Sequence, residues 1–217
     1  MQRSRFPDTD LYGITASQFS LGRSNLEVVR QMLDAGIKII QYREKDFSML
    51  RKYRECLSIR TLTAQYGACF IVNDDVHLAL AVESDGVHVG QDDLPVEKVR
   101  EIVGDKMLLG LSTHSPEQAL KAAKSGVVDY IGVGPLYQTF TKKDVQPAVG
   151  LEYLDYVVKQ RQIPFVAIGG IKENNVADVI KHGAICVCLV TEIVGAQNIG
   201  ARIKSVRARI SEVTGRG

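Results

Sequence analysis

At 217 residues, with 45% hydrophobic and 24% charged side chains, the chain has the composition of a globular α/β domain, and disorder is excluded. Its 27 basic and 25 acidic residues leave a net charge of +2, which gives no footing for nucleic acid or a membrane surface as partner. The first ten residues are polar and no apolar run is long enough to span a bilayer, so neither a signal peptide nor a membrane segment is expected.

Residues 1–10 read as an N-terminal extension of a single domain covering 1–217. The first of eight short apolar runs expected as strands follows at 11–15. The others lie at 37–42, 69–72, 86–89, 108–112, 130–134, 164–168 and 185–190, and helix-type periodicity fills the intervals. Ser24 with Glu27 three residues on makes a capping box for a helix over 24–35. The longest helix is expected at 48–66. Ser115-Pro116-Glu117 opens another with proline in its first turn, and a helix over 173–182 stops at Gly183.

Eight units of about 27 residues predict an α/β fold of the single-domain (β/α)8 TIM-barrel type. The rival, an open doubly wound sheet, needs a glycine-rich first turn, and Thr15-Ala16-Ser17-Gln18-Phe19 is not one. The unit recurs in pattern and not in sequence. Cys56, Cys69, Cys186 and Cys188 lack metal-type spacing. Cys186 and Cys188 share one face of a strand, so buried free thiols in a reducing cytoplasm are expected.

In such a barrel the chemistry gathers where the strands end. The second run passes into Gln41-Tyr42-Arg43-Glu44-Lys45, where Arg43 and Lys45 alternate and point one way, a cation pair suited to a diphosphate. The third and fourth runs pass into Asn73-Asp74-Asp75 and Gln91-Asp92-Asp93. Turn and cap chemistry accounts for Asp75 and Asp92. Asp74 and Asp93, delivered by neighbouring strands roughly 5 Å apart, suit one shared Mg²⁺.

The fifth run ends Ser112-Thr113-His114, which helix capping largely explains, with His114 a candidate base. The loop over 135–149 carries Thr139, Thr141, Lys142 and Lys143. Its length favours a phosphate lid over a merely mobile charged loop. Gly169-Gly170 after the seventh run and Val190-Thr191 after the eighth suit a monophosphate. Walker A and dinucleotide glycine patterns are absent. Two separate anion sites point to an enzyme that joins two phosphorylated fragments.

Several of these stretches form an ordered set: Gln41 to Lys45, Val72 to Asp75, Gly86 to Pro95, Leu111 to His114, Asp129 to Pro135, Thr139 to Asp144, and Val166 to Ile171. From Leu11 to Val190 the chain resembles the thiamine phosphate synthase family. The resemblance implies a transferase that joins 4-amino-2-methyl-5-(diphosphooxymethyl)pyrimidine to 4-methyl-5-(2-phosphooxyethyl)thiazole, giving thiamine monophosphate and diphosphate. It implies Mg²⁺ as cofactor, held by Asp74 and Asp93. It puts Gln41, Tyr42, Arg43, Glu44, Lys45 and Asn73 on the pyrimidine diphosphate, and Ser112 beside the reacting pyrimidine. Lys142 would grip the diphosphate, while Thr139, Phe140, Thr141, Gly170, Val190 and Thr191 would bind the thiazole phosphate. Arg43, Lys45, Ser112 and Lys142 are the catalytic set by this likeness.

The chain departs from the family's usual pattern at Gln138, where proline is common, at Phe140 between the two threonines, and at Thr191, where serine is usual. Two other readings compete. A thiazole tautomerase-like paralogue would use His114 as proton carrier, but has no need of Asp74, Asp93, Arg43 and Lys45 together. A catalytically silent phosphate-binding regulator would show a degraded site, and none is found. The partners expected are small-molecule substrates alone, with a homo-oligomer left open.

Overall fold

The computed structural model describes residues 6–139 and 147–215. Its strands are β1 (Gly13–Ile14), β2 (Ile39–Tyr42), β3 (Cys69–Asn73), β4 (Gly86–Val89), β5 (Leu108–Thr113), β6 (Tyr130–Val133), β7 (Phe165–Ile168) and β8 (Val187–Cys188). They pair in parallel in chain order, from β1 through β8. Between and after them lie α1 (Asn25–Asp34), α2 (Met49–Gln65), α3 (Val76–Ala81), α4 (Val96–Val103), α5 (Pro116–Ser125), α6 (Gly150–Gln160), α7 (Val176–Lys181), α8 (Val190–Val194) and α9 (Ile199–Thr214). The cylinder closes where the Tyr12 N–H donates to the Val187 carbonyl at 3.0 Å and the Val187 N–H to the Asp10 carbonyl at 2.9 Å. This is the expected (β/α)8 barrel.

Alternation along each strand divides the core in two. Ile40, Tyr42, Val72, Val87, Val89, Leu109, Ile131 and Val187 face outward and pack with the helices. Ile14, Ile39, Ile71, Leu108, Tyr130, Val166, Cys186 and Cys188 fill the interior. Phe6 lies under them with its ring 4.8 Å from that of Tyr130, so residues just before the barrel seal its floor. The four cysteines are free thiols.

The Ser24 and Ser115 helix starts read from the sequence are capped, each serine accepting from the backbone N–H three residues on, and Ser48 caps α2 in the same way. The apolar run at 185–190 differs from its expected form. Ile185 is exposed, only Val187–Cys188 pair as a strand, and Val190 already opens α8. The helix expected from 173 begins at Val176, because Asn175 holds a turn first: its Oδ1 accepts from the Lys172 N–H and its Nδ2 donates to the Gly170 carbonyl.

Beneath the barrel, Asp129 accepts from the Leu109 N–H at 2.8 Å and from Arg100 at 2.6 Å, with both side chains under a tenth exposed. Arg100 also donates to the carbonyls of Gly104, Met107 and Val127. One charged pair thus fastens α4 to two strand entries. Removing one partner leaves a buried charge unpaired, so Asp129→Ala should cost about 3 kcal/mol of folding stability. Equilibrium urea unfolding measures this, and a loss under about 1 kcal/mol would refute the fastening role.

Candidate active site

Parallel pairing carries every strand's C-terminal end to one rim. There Ile14 stands level with Gln41, Tyr42 with Val72, Asn73 with His88, and Val89 with Leu111. The segments that follow β2, β3 and β4 are therefore neighbours. Lys45 Nζ lies 3.5 Å from Asp74 Oδ2, and the Asp74 and Asp93 carboxyls are within hydrogen-bonding reach of each other. Burial, and next the Asp93 charge, push the Asp74 carboxyl up, with Lys45 and Arg43 opposing. Asp74 holds a left-handed backbone at φ 60°, which Asp and Asn tolerate better than most side chains. Its N–H donates to the His88 carbonyl at 2.8 Å, which fixes it to β4. Asp93 turns back so that Oδ2 accepts from the Gly90 N–H at 2.7 Å.

Arg43 is anchored through its backbone, where its N–H donates to Thr15 Oγ1 at 2.8 Å. Burial lowers its pKa, while Asp74, Glu44 and Asp46 act the other way. Its half-buried guanidinium is a fork of donors suited to phosphate oxygens, with the neighbouring acids offsetting part of its charge. Tyr42 and Glu44 occupy the wall of this region. The Tyr42 hydroxyl donates to Glu55 on α2, and Glu44 accepts from the Ser17 N–H and hydroxyl, pinning the loop after β1. Asp75 stands at the start of α3, as the turn reading expects, but its carboxylate takes Lys52 at 2.8 Å instead of capping. A small polar cleft opens between Glu44, Lys45, Lys52, Asn73 and Asp74.

Across the mouth, Gly169 and Gly170 both have positive φ. A Cβ at Gly169 would sit 2.3 Å from Pro135 Cα, and one at Gly170 2.7 Å from the Gln138 carbonyl. These glycines admit the β6 loop against β7, a closer constraint than anion approach alone. Val190 and Thr191 form the first turn of α8, both half-buried. Thr139 is half-buried at the end of the described β6 loop. Phe140, Thr141 and Lys142, with Lys143 and Asp144, lie outside the described residues. His114 has its Nδ1 2.5 Å from the Gly134 carbonyl, so it donates there.

The sequence reading missed a buried polar chain below the rim. Gln41 Nε2 donates to the Tyr12 hydroxyl at 2.9 Å, the Tyr12 and Tyr130 hydroxyls are 2.9 Å apart, and Tyr130 lies 3.1 Å from His88 Nδ1. His88 Nε2 then reaches the Ser112 hydroxyl at 2.9 Å. Burial raises the pKa of both tyrosines, so they stay protonated. The signal in the sequence is Gly110: a Cβ there would lie 2.3 Å from the Tyr130 ring and 2.4 Å from His88 Nδ1.

Fold and rim together define a (β/α)8 barrel with a carboxylate pair beside two cations at its mouth. Residues 11–193 match the family model described as thiamine monophosphate synthase. A thiamine-phosphate synthase of Pelotomaculum thermopropionicum is 63% identical over 94% of this chain and 93% of its own length, and one of Lawsonia intracellularis is 57% identical over 94% and 93%. Among solved structures, the thiamine phosphate pyrophosphorylase of Pyrococcus furiosus superposes with a TM-score of 0.85 at 34% identity, covering 97% of this chain and 98% of that one. The chain belongs to the thiamine monophosphate synthase family. Among the described residues no helix is long and apolar enough to cross a membrane.

The raised pKa of Asp74 has a definite sign for stability. The folded state binds this proton more tightly than the unfolded chain, so ionised Asp74 opposes folding at neutral pH, and the penalty fades as pH falls through the raised pKa. Asp74→Asn keeps the left-handed backbone and removes the charge. In metal-free buffer it should melt higher than the parent near pH 7.5, with the gap closing in acid. An equal or lower Tm at pH 7.5 would show that the acids are not in conflict.

Proposed function

We propose that this chain is a thiamine phosphate synthase, joining the aminopyrimidine methyl diphosphate to the thiazole phosphate with release of diphosphate. The observation that carries the reading is the meeting of Asp74 and Asp93 beside Arg43 and Lys45 at one rim. Among the described residues no group of three or more His, Cys, Asp or Glu could hold a metal. Two carboxylates nevertheless fit Mg²⁺, which takes one or two carboxylates and completes its shell with substrate phosphates and water. When bound, Mg²⁺ would offset charge on the departing diphosphate.

The chain's own residues do the rest. Arg43 and Lys45 hold the diphosphate and stabilise negative charge as the C–O bond breaks, and Lys142 joins them from the β6 loop. Gln41, Asn73 and Ser112 orient the pyrimidine, whose amino group feeds electrons into the resulting carbocation. Gly170, Val190 and Thr191, with Thr139 to Thr141, fix the thiazole phosphate. The thiazole nitrogen is thereby held towards the cationic carbon, and proximity replaces any need for a strong base. Exclusion of water from the site would keep the cation from being captured. The thiazole tautomerase alternative has no use for the carboxylate pair. Free thiols throughout fit a cytoplasmic setting.

Purified protein mixed with both substrates and Mg²⁺ should yield thiamine phosphate and diphosphate in equal amounts. Isomerised thiazole phosphate with no diphosphate would point to the tautomerase reading instead. Asp93→Ala should abolish turnover while circular dichroism stays unchanged, and undiminished turnover at saturating Mg²⁺ would remove the metal role. Lys142→Ala should lower kcat by about 100-fold or more, as loss of a charge contact to the transition state does.

A further inference from the structure

The buried chain from Gln41 to Ser112 can be satisfied in two directions, and the Gln41 amide, with Nε2 towards Tyr12, selects one of them by hydrogen counting. Gln41 presents Nε2, a donor only, to the Tyr12 oxygen. Were Tyr130 to donate to Tyr12 as well, the Tyr12 proton would have no acceptor in a side chain only 2% exposed. Tyr12 therefore donates to Tyr130, and Tyr130 donates to His88 Nδ1. His88 carries its proton on Nε2 and gives it to Ser112 Oγ. The Ser112 proton is thereby turned away from His88 towards the mouth, and Gln41 keeps Oε1 for a ligand.

We propose that Tyr12, Tyr130 and His88 are positioning residues that impose this one-way order, so that Gln41 offers an acceptor and Ser112 a donor to an aminopyrimidine ring. The inference rests on the proposed function and deepens it. An aminopyrimidine has the complementary pattern, with amino hydrogens to give and ring nitrogens to receive. Its 4-oxo analogue, with a carbonyl and a ring N–H on that edge, has the opposite one. A site whose polar groups are committed in advance rejects the mismatched partner far more strongly than an apolar pocket does. Gly110 leaves space for the Tyr130–His88 contact, and a Cβ at Gly132 would lie 3.6 Å from His88 Cε1.

The same groups can be fully satisfied in one other neutral order, with the Gln41 amide turned over and every bond reversed. His88 would then be protonated on Nδ1. The first measurement is the ¹⁵N chemical shifts of His88 in ligand-free protein near pH 7.5, assigned by loss of its signals in His88→Gln. A bare Nδ1 with a protonated Nε2 is expected. The opposite tautomer, or an imidazolium, overturns the proposal.

The second measurement uses Tyr130→Phe, which keeps the ring and cuts the chain. It should let both tautomers appear and raise KM for the aminopyrimidine diphosphate about tenfold, the equivalent of one hydrogen bond, with kcat within about threefold. The 4-oxo analogue, a poor inhibitor of the parent, should become comparable to the substrate in affinity. Tyr12→Phe serves if Tyr130→Phe does not fold. Unchanged tautomer and unchanged discrimination in a folded variant defeat the chain. Failure of the parent to bind the aminopyrimidine diphosphate at all defeats the functional reading, while the tautomer result stands separately.

Discussion

Everything at the mouth depends on the closure of a parallel cylinder by very few backbone bonds. β1 and β8 contribute only two residues each, and the seam is carried by the exchange between Val187 and residues 10–12. Parallel closure forces all eight C-terminal ends to one side, so acids from β3 and β4 and cations from β2 cannot avoid each other. The floor supports the seam. Tyr12 belongs to it through its backbone and to the interior through its ring, and Phe6 packs beneath Tyr130. Asp10 links the seam to the outer layer, pairing with Arg207 of α9 while its carbonyl receives the Val187 N–H.

A second constraint recurs at strand entries. Asp85 accepts from the Phe70 N–H and from Arg60 of α2, as Asp129 does from Leu109 and Arg100 of α4. The two stations lie 44 residues apart, in Asp85-Gly86-Val87-His88-Val89-Gly90 and Asp129-Tyr130-Ile131-Gly132-Val133-Gly134. The reading of the sequence found no repeat, because Asp, Val and Gly recur while the inward positions differ. Those inward differences, His88 on one strand and Tyr130 on the other, let the two side chains meet across Gly110 of β5, which lies between them.

Much of the frame was legible. Strands β2 to β7 stand out as apolar runs bounded by glycine and acids, and serines at 24, 48 and 115 announce helix starts. Legibility failed where an apolar stretch serves two structures, as at 185–190, where strand gives way to a short helix. It failed also inside the barrel. A strand buried on both faces reads as continuously apolar, so alternation does not tell lumen from helix layer. His88 and Tyr130 therefore gave no sign of meeting inside the barrel. The acids at 74 and 93 were legible because strand ends have a known side even when strand faces do not.

The polar rim and the polar chain answer the same problem in opposite ways. Below the mouth, each link from Gln41 to Ser112 is satisfied by another protein group, which makes the arrangement stiff and tolerable in a dry interior. At the rim the charges are in conflict: Asp74 and Asp93 repel, and Arg43 bears a desolvation penalty its neighbours only partly offset. A protein selected for stability alone would not keep two acids in mutual contact there. A cation between the acids and an anion against Arg43 would relieve both conflicts at once, and the defects that burden the free protein would then become binding free energy for the proposed substrates. The stiff layer would fix where the proposed substrate's ring lies, and the strained layer would draw its charged tail into place.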